Sequence, residues 1–199
     1  MIQIFTPADV KRIAHLQPEG WENIIPFFEF YSTSGFCHAI KIEDNDHIGA
    51  VGSLILMGHT AWFAHIIVAP RMQRKGLGSL ITRELISFAE KNGCKTQLLI
   101  ATAMGLPLYE QFGFRRSCDY LYYQQHAPGE VSPSPRIRPL ATDDARRLLG
   151  LDHRATGEDR SALILPHLTN GWVYVSSDRT SLRGYFLPGL GDGTIIADN

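Results

Sequence analysis

A short glycine-rich stretch holds the residues best suited to bind an anion. Residues 73–78 have the sequence QRKGLG, in which Arg74 and Lys75 precede Gly76 and Gly78. Glycine has no Cβ, so a bulky group can approach the main chain, and the first N–H groups of a helix lack partners inside it. The positive end of the helix dipole also favours a negative ligand. The stretch therefore predicts a site for a phosphate or pyrophosphate.

Two common nucleotide-binding motifs do not fit this stretch. No Gly-Lys-Ser/Thr follows at the spacing of a P-loop, and the third glycine of Gly-x-Gly-x-x-Gly would fall at Ile81. An ordinary strand-to-helix turn that needs glycine fits the two glycines equally well. The flanking segments predict that turn: Ala64–Val68 is an apolar run ended by Pro70, and apolar residues recur at helical spacing over residues 77–91.

Two segments resemble the acetyl-CoA signature of the GNAT superfamily of N-acetyltransferases. Residues 68–78 follow V-x-P-x-x-Q-x-x-G-x-G, and Leu108–Phe114 is similar to the family's LYxxxGF segment. The two occur in the family's order with a predicted strand between them, and the resemblance covers roughly residues 1–125. It implies an enzyme that transfers an acetyl group from acetyl-CoA to a primary amine, which attacks the thioester directly.

The resemblance also implies roles for single residues. Main-chain groups of Ile66 and Val68 would bond the pantetheine arm and the acetyl carbonyl, with the Val68 N–H as oxyanion donor. Tyr109 would be the general acid that protonates the CoA sulfur. The residues expected to bind the cofactor are Ile66, Val68, Gln73, Arg74, Lys75, Gly76, Leu77, Gly78, Ser79, Thr102 and Tyr109. Thr102 stands where the family often has Asn, and no metal site is predicted.

The group that deprotonates the amine is not evident. His65 has a suitable ordinary pKa, but strand alternation predicts it on the face opposite Val68, where the family's bases on this strand lie. The predicted Val68 face holds Trp62, Ala64 and Ile66, and the His65 face holds Phe63 and Ile67. We therefore expect proton removal through water, with His59, Glu29 or Glu22 as unranked helpers.

Residues 21–31 are rich in aromatic side chains and predict a helix, although Pro26 indicates a kink or a later start. The resemblance implies that this region forms one wall of the acceptor cleft. Plain core packing also explains most of these side chains. An amine with an apolar body would fit a cleft lined by Trp21, Phe27, Phe28, Tyr31 and Trp62.

The predicted order of elements is β-α-α-β-β-β-α-β-α-β. This order predicts an α/β fold, a GNAT-like mixed and mostly antiparallel sheet flanked by helices. The predicted strands are Ile2–Phe5, Cys37–Ile42, Ile48–Met57, Ala61–Val68, Thr96–Ala101 and Phe114–Tyr123. A helix starting after Thr6 and a short helix over Met104–Gly113 complete the set.

A proline-rich stretch predicts a domain boundary. Residues 127–136, with three prolines in ten residues, have the composition of a linker. We expect an acetyl-CoA-binding GNAT domain over residues 1–126 and a partial second GNAT-like domain, a smaller α/β half-domain, over residues 137–199. This arrangement resembles bacterial two-domain GNAT proteins. A repeat at 135 positions supports it, matching Ile2, Phe5, Asp9, Arg12 and Ile13 with Ile137, Leu140, Asp144, Arg147 and Leu148.

Composition limits the partners. The chain is 44% hydrophobic and 20% charged with a net charge of −1, which predicts a globular protein without bulk attraction to nucleic acid or anionic membranes. Three cysteines without metal-ligand spacing indicate reduced thiols. With no signal peptide and no apolar run of transmembrane length, we expect a cytoplasmic protein. The expected partner is a small-molecule amine; a protein substrate and a homo-oligomer stay open.

Two other functions stay open. The missing base and the half-domain are compatible with a catalytically inactive acyl-CoA-binding or regulatory module. A phosphate-binding module for another nucleotide predicts stronger stabilisation by ATP or NAD than by CoA.

Overall fold

Two separate sheets organise the chain in a computed structural model, which describes residues 1–119, 134–191 and 193–198. They belong to two compact units, Met1–Leu121 and Tyr122–Asn199. The strands of the first unit are β1 (Ile2–Ile4), β2 (Cys37–Asp44), β3 (His47–Met57), β4 (Thr60–Val68) and β5 (Thr96–Leu99). They lie in that order in the sheet, antiparallel except for β5, which runs parallel to β4.

Helices cover both faces of this sheet. They are a 3₁₀ helix (Pro7–Leu16), α1 (Ile24–Thr33), a 3₁₀ turn (Pro70–Met72), α2 (Leu77–Lys91) and α3 (Leu106–Gln111). The longer 3₁₀ helix and α1 pack with Val51 and Ile67 in one core, whereas α2 packs with Leu54 and Phe63 in the other. The amphipathic spacing of α2 thus buries one helix face against the sheet.

The predicted fold class is confirmed: a mixed, mostly antiparallel α/β sheet flanked by helices, with a smaller second sheet. The charged segment 43–46 predicts a turn between two strands, and Asn45 and Asp46 form it between β2 and β3, with φ of 48° and 62° as a two-residue hairpin requires. The aromatic helix α1 begins only at Ile24, because Pro26 is tolerated in a first turn and the Asn23 side chain caps that turn.

One predicted strand is wrong, and most of the predicted linker between the domains lies outside the described residues. The strand predicted over Phe114–Tyr123 is not formed at residues 114–119, and residues 120–123 lie outside the described residues. Most of the predicted linker, residues 127–133, also lies outside them. The predicted domain boundaries therefore stay predictions.

β4 contains a bulge. It has one residue more than β3 between two consecutive pairs of the ladder, so that His65 and Ile66 together face Gly52. A bulge shifts side-chain alternation by one. The α2 side receives Phe63, Ile66 and Val68, and the α1 side receives Ala64, His65 and Ile67. The predicted grouping of His65 with Phe63 is therefore wrong. Ala64 and Ile66, predicted to share a face, also point to opposite sides.

The second unit has an antiparallel sheet in the order of the chain. Its elements are β6 (Ile137–Pro139), a 3₁₀ turn (Thr142–Asp144), α4 (Ala145–Thr156), α5 (Ser161–Ile164), a 3₁₀ turn (Leu165–His167), β7 (Trp172–Val175), β8 (Leu182–Leu187) and β9 (Thr194–Ala197). The sequence predicts a hairpin of Trp172–Ser176 and Leu182–Leu187 around a polar turn, and β7 and β8 form it, whereas β9 was not predicted. Leu148 and Leu151 of α4 are fully buried against this sheet.

The sequence repeat has a structural counterpart in its buried carboxylates. A carboxylate oxygen of Asp9 accepts a hydrogen bond from the Thr6 N–H at 2.9 Å. Asp144, which lies 135 positions later, accepts a hydrogen bond from the Ala141 N–H, also at 2.9 Å. Both carboxylates are at most 3% exposed. That residues 137–199 form half of a GNAT-like domain nevertheless stays a prediction.

Within the described residues, no helix has the length and apolar character needed to cross a lipid bilayer. The same residues contain no group of three or more His, Cys, Asp or Glu side chains placed to hold a metal ion.

Candidate active site

β4 loses its outer neighbour before it ends. β5 pairs with β4 only over Thr60–Phe63, and β4 continues to Val68. The Ala69 N–H donates to the Gly49 carbonyl of β3 at 2.9 Å. Because successive residues of a strand turn their backbone groups to alternate edges, those of Ile66 and Val68 point to the open edge. We call this edge, residues 64–68, the opening; it leaves room beside the two residues predicted to bind pantetheine and acetyl.

The turn after β4 leads into an uncapped helix end. Gly76 precedes α2 with φ of +80°, a left-handed conformation that favours glycine, and a Cβ there would meet no atom within 4 Å. Among the described residues, no side chain caps the first turn. Its free N–H groups belong to Leu77, Gly78 and Ser79. Arg74 and Lys75 are exposed beside them, and the Gln73 side chain donates to the Val68 carbonyl at 3.3 Å. An anion fits this turn.

The short helix α3 packs beside the start of α2 and the end of β4. A Cβ added to Gly78 would lie 3.3 Å from Leu108 of α3 and 3.8 Å from Val68 of β4. Tyr109 follows Leu108 and packs edge-on to Phe114, with ring centroids 6.0 Å apart. Its hydroxyl has no hydrogen-bond partner among the described residues and is not enclosed. Burial raises the pKa of Tyr109, so the phenol stays protonated and able to donate.

His65 lies at the opening on the side of α1. Its Nδ1 is 2.8 Å from the Tyr31 hydroxyl, and its ring stacks on Phe27 at 4.6 Å between centroids. Trp21 and Phe28 contact the same ring edge-on, at 5.9 and 6.1 Å. Burial lowers the pKa of His65 to about 4, so the imidazole is neutral near pH 7. His65 thus lies on the face opposite Val68, as alternation predicted, and the bulge changes only which of residues 63 and 64 shares its face.

Comparison with known proteins identifies the fold and the family. The family model described as "Acetyltransferase (GNAT) family" matches residues 5–114, more than half of the chain. The chain belongs to the GNAT family of acetyltransferases. The predicted family, and with it the enzyme class of N-acetyltransferases, is confirmed. The GNAT donor is acetyl-CoA, and the open strand edge and uncapped turn described above fit such a molecule.

One curated protein and two solved structures show what this GNAT chain is similar to. An uncharacterized N-acetyltransferase of Bacillus subtilis, YitH, is 30% identical over 140 residues, which are 69% of this chain but only 45% of the relative. The ribosomal-protein-S18-alanine N-acetyltransferase of Escherichia coli shares the fold with a TM-score of 0.54, at 23% identity over 59% of this chain and 79% of that one.

The second structure is AAC(6′)-Iy in complex with a bisubstrate analogue, CoA-S-monomethyl-acetylneamine. It matches with a TM-score of 0.52 at 10% identity, over 64% of this chain and 98% of that one. At these identities the two structures support the GNAT fold alone. The acceptor has to be argued from this chain's own residues.

Thr102, predicted to contact the cofactor, has a structural task in this GNAT chain. Its hydroxyl accepts a hydrogen bond from the Gly105 N–H at 3.1 Å, and its carbonyl accepts one from the Leu106 N–H at 3.0 Å. Both bonds stabilise the start of α3, which carries Tyr109. Contact between Thr102 and the cofactor stays a prediction.

The three predicted helpers in proton removal lie in different places. His59 is hydrogen-bonded to the Gly93 carbonyl at the far end of β4, about 30 Å from Val68 along the strand. Glu29 lines a surface groove between α1 and the N-terminal 3₁₀ helix, away from the opening. Glu22 is exposed and follows Trp21, which contacts His65. Their part in proton removal stays a prediction.

Proposed function

We propose that this chain transfers the acetyl group of acetyl-CoA to the primary amine of a small molecule, by direct attack of the amine on the thioester. The observation that carries this proposal is the open edge of β4 next to the first turn of α2, which no described side chain caps, with α3, the helix of Tyr109, packed beside both. Each of the three parts has a separate task in acetyl transfer. Gly78 of α2 lies against Val68 of β4 and Leu108 of α3, so the three elements adjoin there.

The binding of acetyl-CoA follows from the backbone and from charge. First-turn N–H groups of α2 would hold the pyrophosphate, assisted by the exposed Arg74 and Lys75. The open-edge groups of Ile66 would pair with the pantetheine arm, as an added strand would, and the Val68 N–H would face the acetyl carbonyl. Gln73 would keep its present task of fixing the turn to the end of β4.

The chemistry needs a donor for the developing oxyanion and a proton for the leaving sulfur. The Val68 N–H points to the open edge and would donate to the acetyl oxygen as negative charge grows on it. Tyr109 would give its phenolic proton to the thiolate of CoA as the carbon–sulfur bond breaks. Water would take the proton released by the amine, with Glu22 as the accessible carboxylate. His65 is not required as a base.

A small acceptor in the cytoplasm fits the charge and the thiols. With a net charge of −1, the chain has no strongly charged character suited to a highly charged protein partner. Cys37, Cys94 and Cys118 are free thiols, and Cys118 is exposed, which fits a reducing compartment.

The first test is thermal stabilisation by acetyl-CoA, with variants at the two ends of α2. Gly76 and Gly93 both have positive φ and open space at the Cβ position, so Gly76→Glu and Gly93→Glu impose a similar backbone strain. A ligand at about 100 times its dissociation constant adds roughly 2.7 kcal/mol to stability. We expect the shift in the wild type and in Gly93→Glu, and its loss in Gly76→Glu.

Release of free CoA in a panel of amines then tests catalysis. Turnover with any primary amine supports the enzyme. Stabilisation by acetyl-CoA without turnover of any amine would favour the inactive acyl-CoA-binding module. Greater stabilisation by ATP or NAD than by CoA would contradict the proposal at its first step.

A further inference from the structure

We propose that the rings of Trp21, Phe27 and His65 form an acceptor subsite for an aromatic amine, in which His65 is a hydrogen-bond donor rather than a base. The inference rests on the proposed function, because it names the class of amine that would meet the acetyl group at the opening. We call these three residues the aromatic wall.

The aromatic wall stands where an acceptor has to arrive. His65 lies inside the opening, between Ala64 and Ile66, and its ring projects to the α1 side of the sheet. The side chains of Ile66 and Val68 occupy the α2 side. Acetyl-CoA, bound along the open edge and the start of α2, would leave the α1 side for the amine. The aromatic wall is then the first surface that the amine contacts.

The rings remain accessible although they are large and apolar. Trp21 is 41% exposed, and Phe27 and His65 are half-buried. Phe28, which contacts the same imidazole, is fully buried and belongs to the core. One side of the aromatic wall therefore packs on the core, and the other side is open to solvent. A flat apolar group on that open side would gain ring contacts beyond its buried area.

The segment that carries Trp21 is held in place by hydrogen bonds. The side-chain amide of Gln17 donates to the carbonyls of Trp21 and Glu22 at 3.1 and 3.0 Å. Its oxygen accepts the Ile24 N–H at 3.0 Å, which ties the segment to the start of α1. A backbone segment held in this way loses little conformational freedom when a ligand binds, so the position of Trp21 is preorganised.

The backbone at His65 is strained. Its φ is +48°, a left-handed conformation that a residue with a Cβ seldom adopts. Strain of this kind persists where the surrounding structure holds it, and it clusters at sites with a task. Here the strained residue is also a polar ring among aromatic side chains. An apolar residue would fill the same space without the cost of burying an imidazole.

The proton on the imidazole follows from the acidity of its partner. The Tyr31 hydroxyl is buried, and His65 Nδ1 is its hydrogen-bond partner among the described residues. A phenol is a stronger donor than a neutral imidazole N–H, so Tyr31 donates and Nδ1 accepts. The ring proton then resides on Nε2, which has no partner in the described part of the chain and is not enclosed. His65 thus offers an N–H to a ligand.

These features specify the ligand by its chemistry. The ring contacts select a flat apolar body, and the neutral imidazole offers no charge to a carboxylate or phosphate. The Nε2–H selects a hydrogen-bond acceptor on that body, such as a phenolic oxygen. The ligand class is a primary arylalkylamine, with a ring oxygen preferred.

The test compares 2-phenylethylamine, tyramine and ethanolamine as acceptors by kcat/KM, in the wild type and in two matched variants of α1. Phe27 stacks on His65, whereas Phe30 contacts Tyr31 and Phe36 instead. We expect both aryl amines to be preferred over ethanolamine in the wild type. Phe27→Leu should reduce that preference by about fivefold, and Phe30→Leu should leave it unchanged.

A third variant separates donor from base. Asn tolerates positive φ, so His65→Asn should keep the backbone of the bulge. We expect it to remove the advantage of tyramine over 2-phenylethylamine while turnover of 2-phenylethylamine persists. Loss of turnover for every amine in a folded His65→Asn protein would overturn the donor role.

Binding of 2-phenylethylamine, followed by calorimetry in the presence of CoA, keeps the inference apart from the proposed function. Turnover of ethanolamine in preference to both aryl amines would overturn the aromatic subsite and leave the acetyltransferase intact. Absence of turnover with aryl-amine binding that Phe27→Leu weakens would support the subsite and contradict the proposed function. Absence of aryl-amine binding would overturn the subsite.

Discussion

Tyr109 and His65 are half-buried polar side chains, and burial shifts their pKa values in opposite directions. Burial raises the pKa of Tyr109 and lowers that of His65 to about 4. Both shifts favour the uncharged form. Near pH 7 the site therefore contains a phenol that can donate and an imidazole that carries no charge. The resemblance to GNAT enzymes pointed to Tyr109, but no sequence motif pointed to His65.

Replacing Tyr109 with Phe removes the hydroxyl and retains the ring that packs on Phe114. We expect kcat to fall by about 10²–10⁴-fold, because a general acid contributes about that much. The dissociation constant of acetyl-CoA, measured by calorimetry, should stay unchanged. An unchanged kcat would show that another group protonates the sulfur.

The lowered pKa of His65 predicts a stability change with pH. An unfolded His has a pKa near 6.5, so between about pH 6.5 and 4 the unfolded chain binds a proton that the folded chain does not. Stability should therefore fall as the pH is lowered through this window, with a slope approaching about 1.4 kcal/mol per pH unit. Urea unfolding at pH 7, 6 and 5 should show a smaller loss for His65→Asn. Parallel curves for the two proteins would contradict the buried neutral imidazole.

At the scale of elements, the strands were predictable and the bulge in β4 was not. Apolar runs and the turn residues that bound them marked β2, β3 and β4 almost to their ends, because both faces of these strands lie in a core. One extra residue in an apolar run leaves no trace in its own composition. The trace is Gly52 on the neighbouring strand, because a glycine inside a strand is typical of a bulge or a close backbone approach. The strand partner, which a single strand's sequence does not contain, decides where the bulge falls.

Gly52 also lies where β3 packs closely against α2. A Cβ there would lie 2.5 Å from Ile81 and 3.2 Å from Leu85, both fully buried. We expect Gly52→Ala to destabilise the first unit by about 1–3 kcal/mol, as overpacking does. Urea unfolding followed by tryptophan fluorescence measures it, with Trp21 and Trp62 in the first unit and Trp172 kept silent by Trp172→Phe in both proteins.

Gly35→Ala is the matched control for that change. Its Cβ would meet no atom within 4 Å, and its φ lies outside the left-handed range. Its stability should stay within about 0.5 kcal/mol of the wild type. Equal effects of the two substitutions would show that the bulge region can relax around a methyl group.

At the scale of the whole molecule, the two units repeat one arrangement with an exchanged cation. In the first unit Lys41 of β2 binds Asp9 at 2.6 Å; in the second, Arg138 of β6 binds Asp144 at 2.6 Å. Lys41 is paired directly with Gln3 of β1 in the antiparallel ladder. Gln3 is the repeat counterpart of Arg138. The cation therefore lies on the second strand in the first unit and on the first strand in the second unit, at positions that pair with each other across the ladder. The sequence repeat identifies the two carboxylates as counterparts. Only the strand pairing in the structure shows that Lys41 and Arg138 occupy equivalent places beside them.

This exchange predicts a rescue. In the first unit, burial raises the pKa of Asp9, but hydrogen bonds from Lys41 and Thr6 outweigh it and lower the pKa to about 2. Lys41→Val copies the second unit's strand and leaves Asp9, 3% exposed, without its nearest cation. Breaking a buried pair on one side costs about 3–5 kcal/mol, and we expect the lower end because Arg12 also binds Asp9 at 2.7 Å.

Adding Gln3→Arg to Lys41→Val places a guanidinium where Arg138 stands in the second unit. Cross-strand neighbours share one face of a sheet, so this guanidinium can reach Asp9 as Arg138 reaches Asp144. We expect the double variant to recover at least half of the lost free energy of unfolding, measured by urea with tryptophan fluorescence. Gln3→Arg alone should change stability little, because Gln3 is exposed and Asp9 already has its cation. A double variant as unstable as Lys41→Val would mean that the two units share a carboxylate position but not the geometry around it.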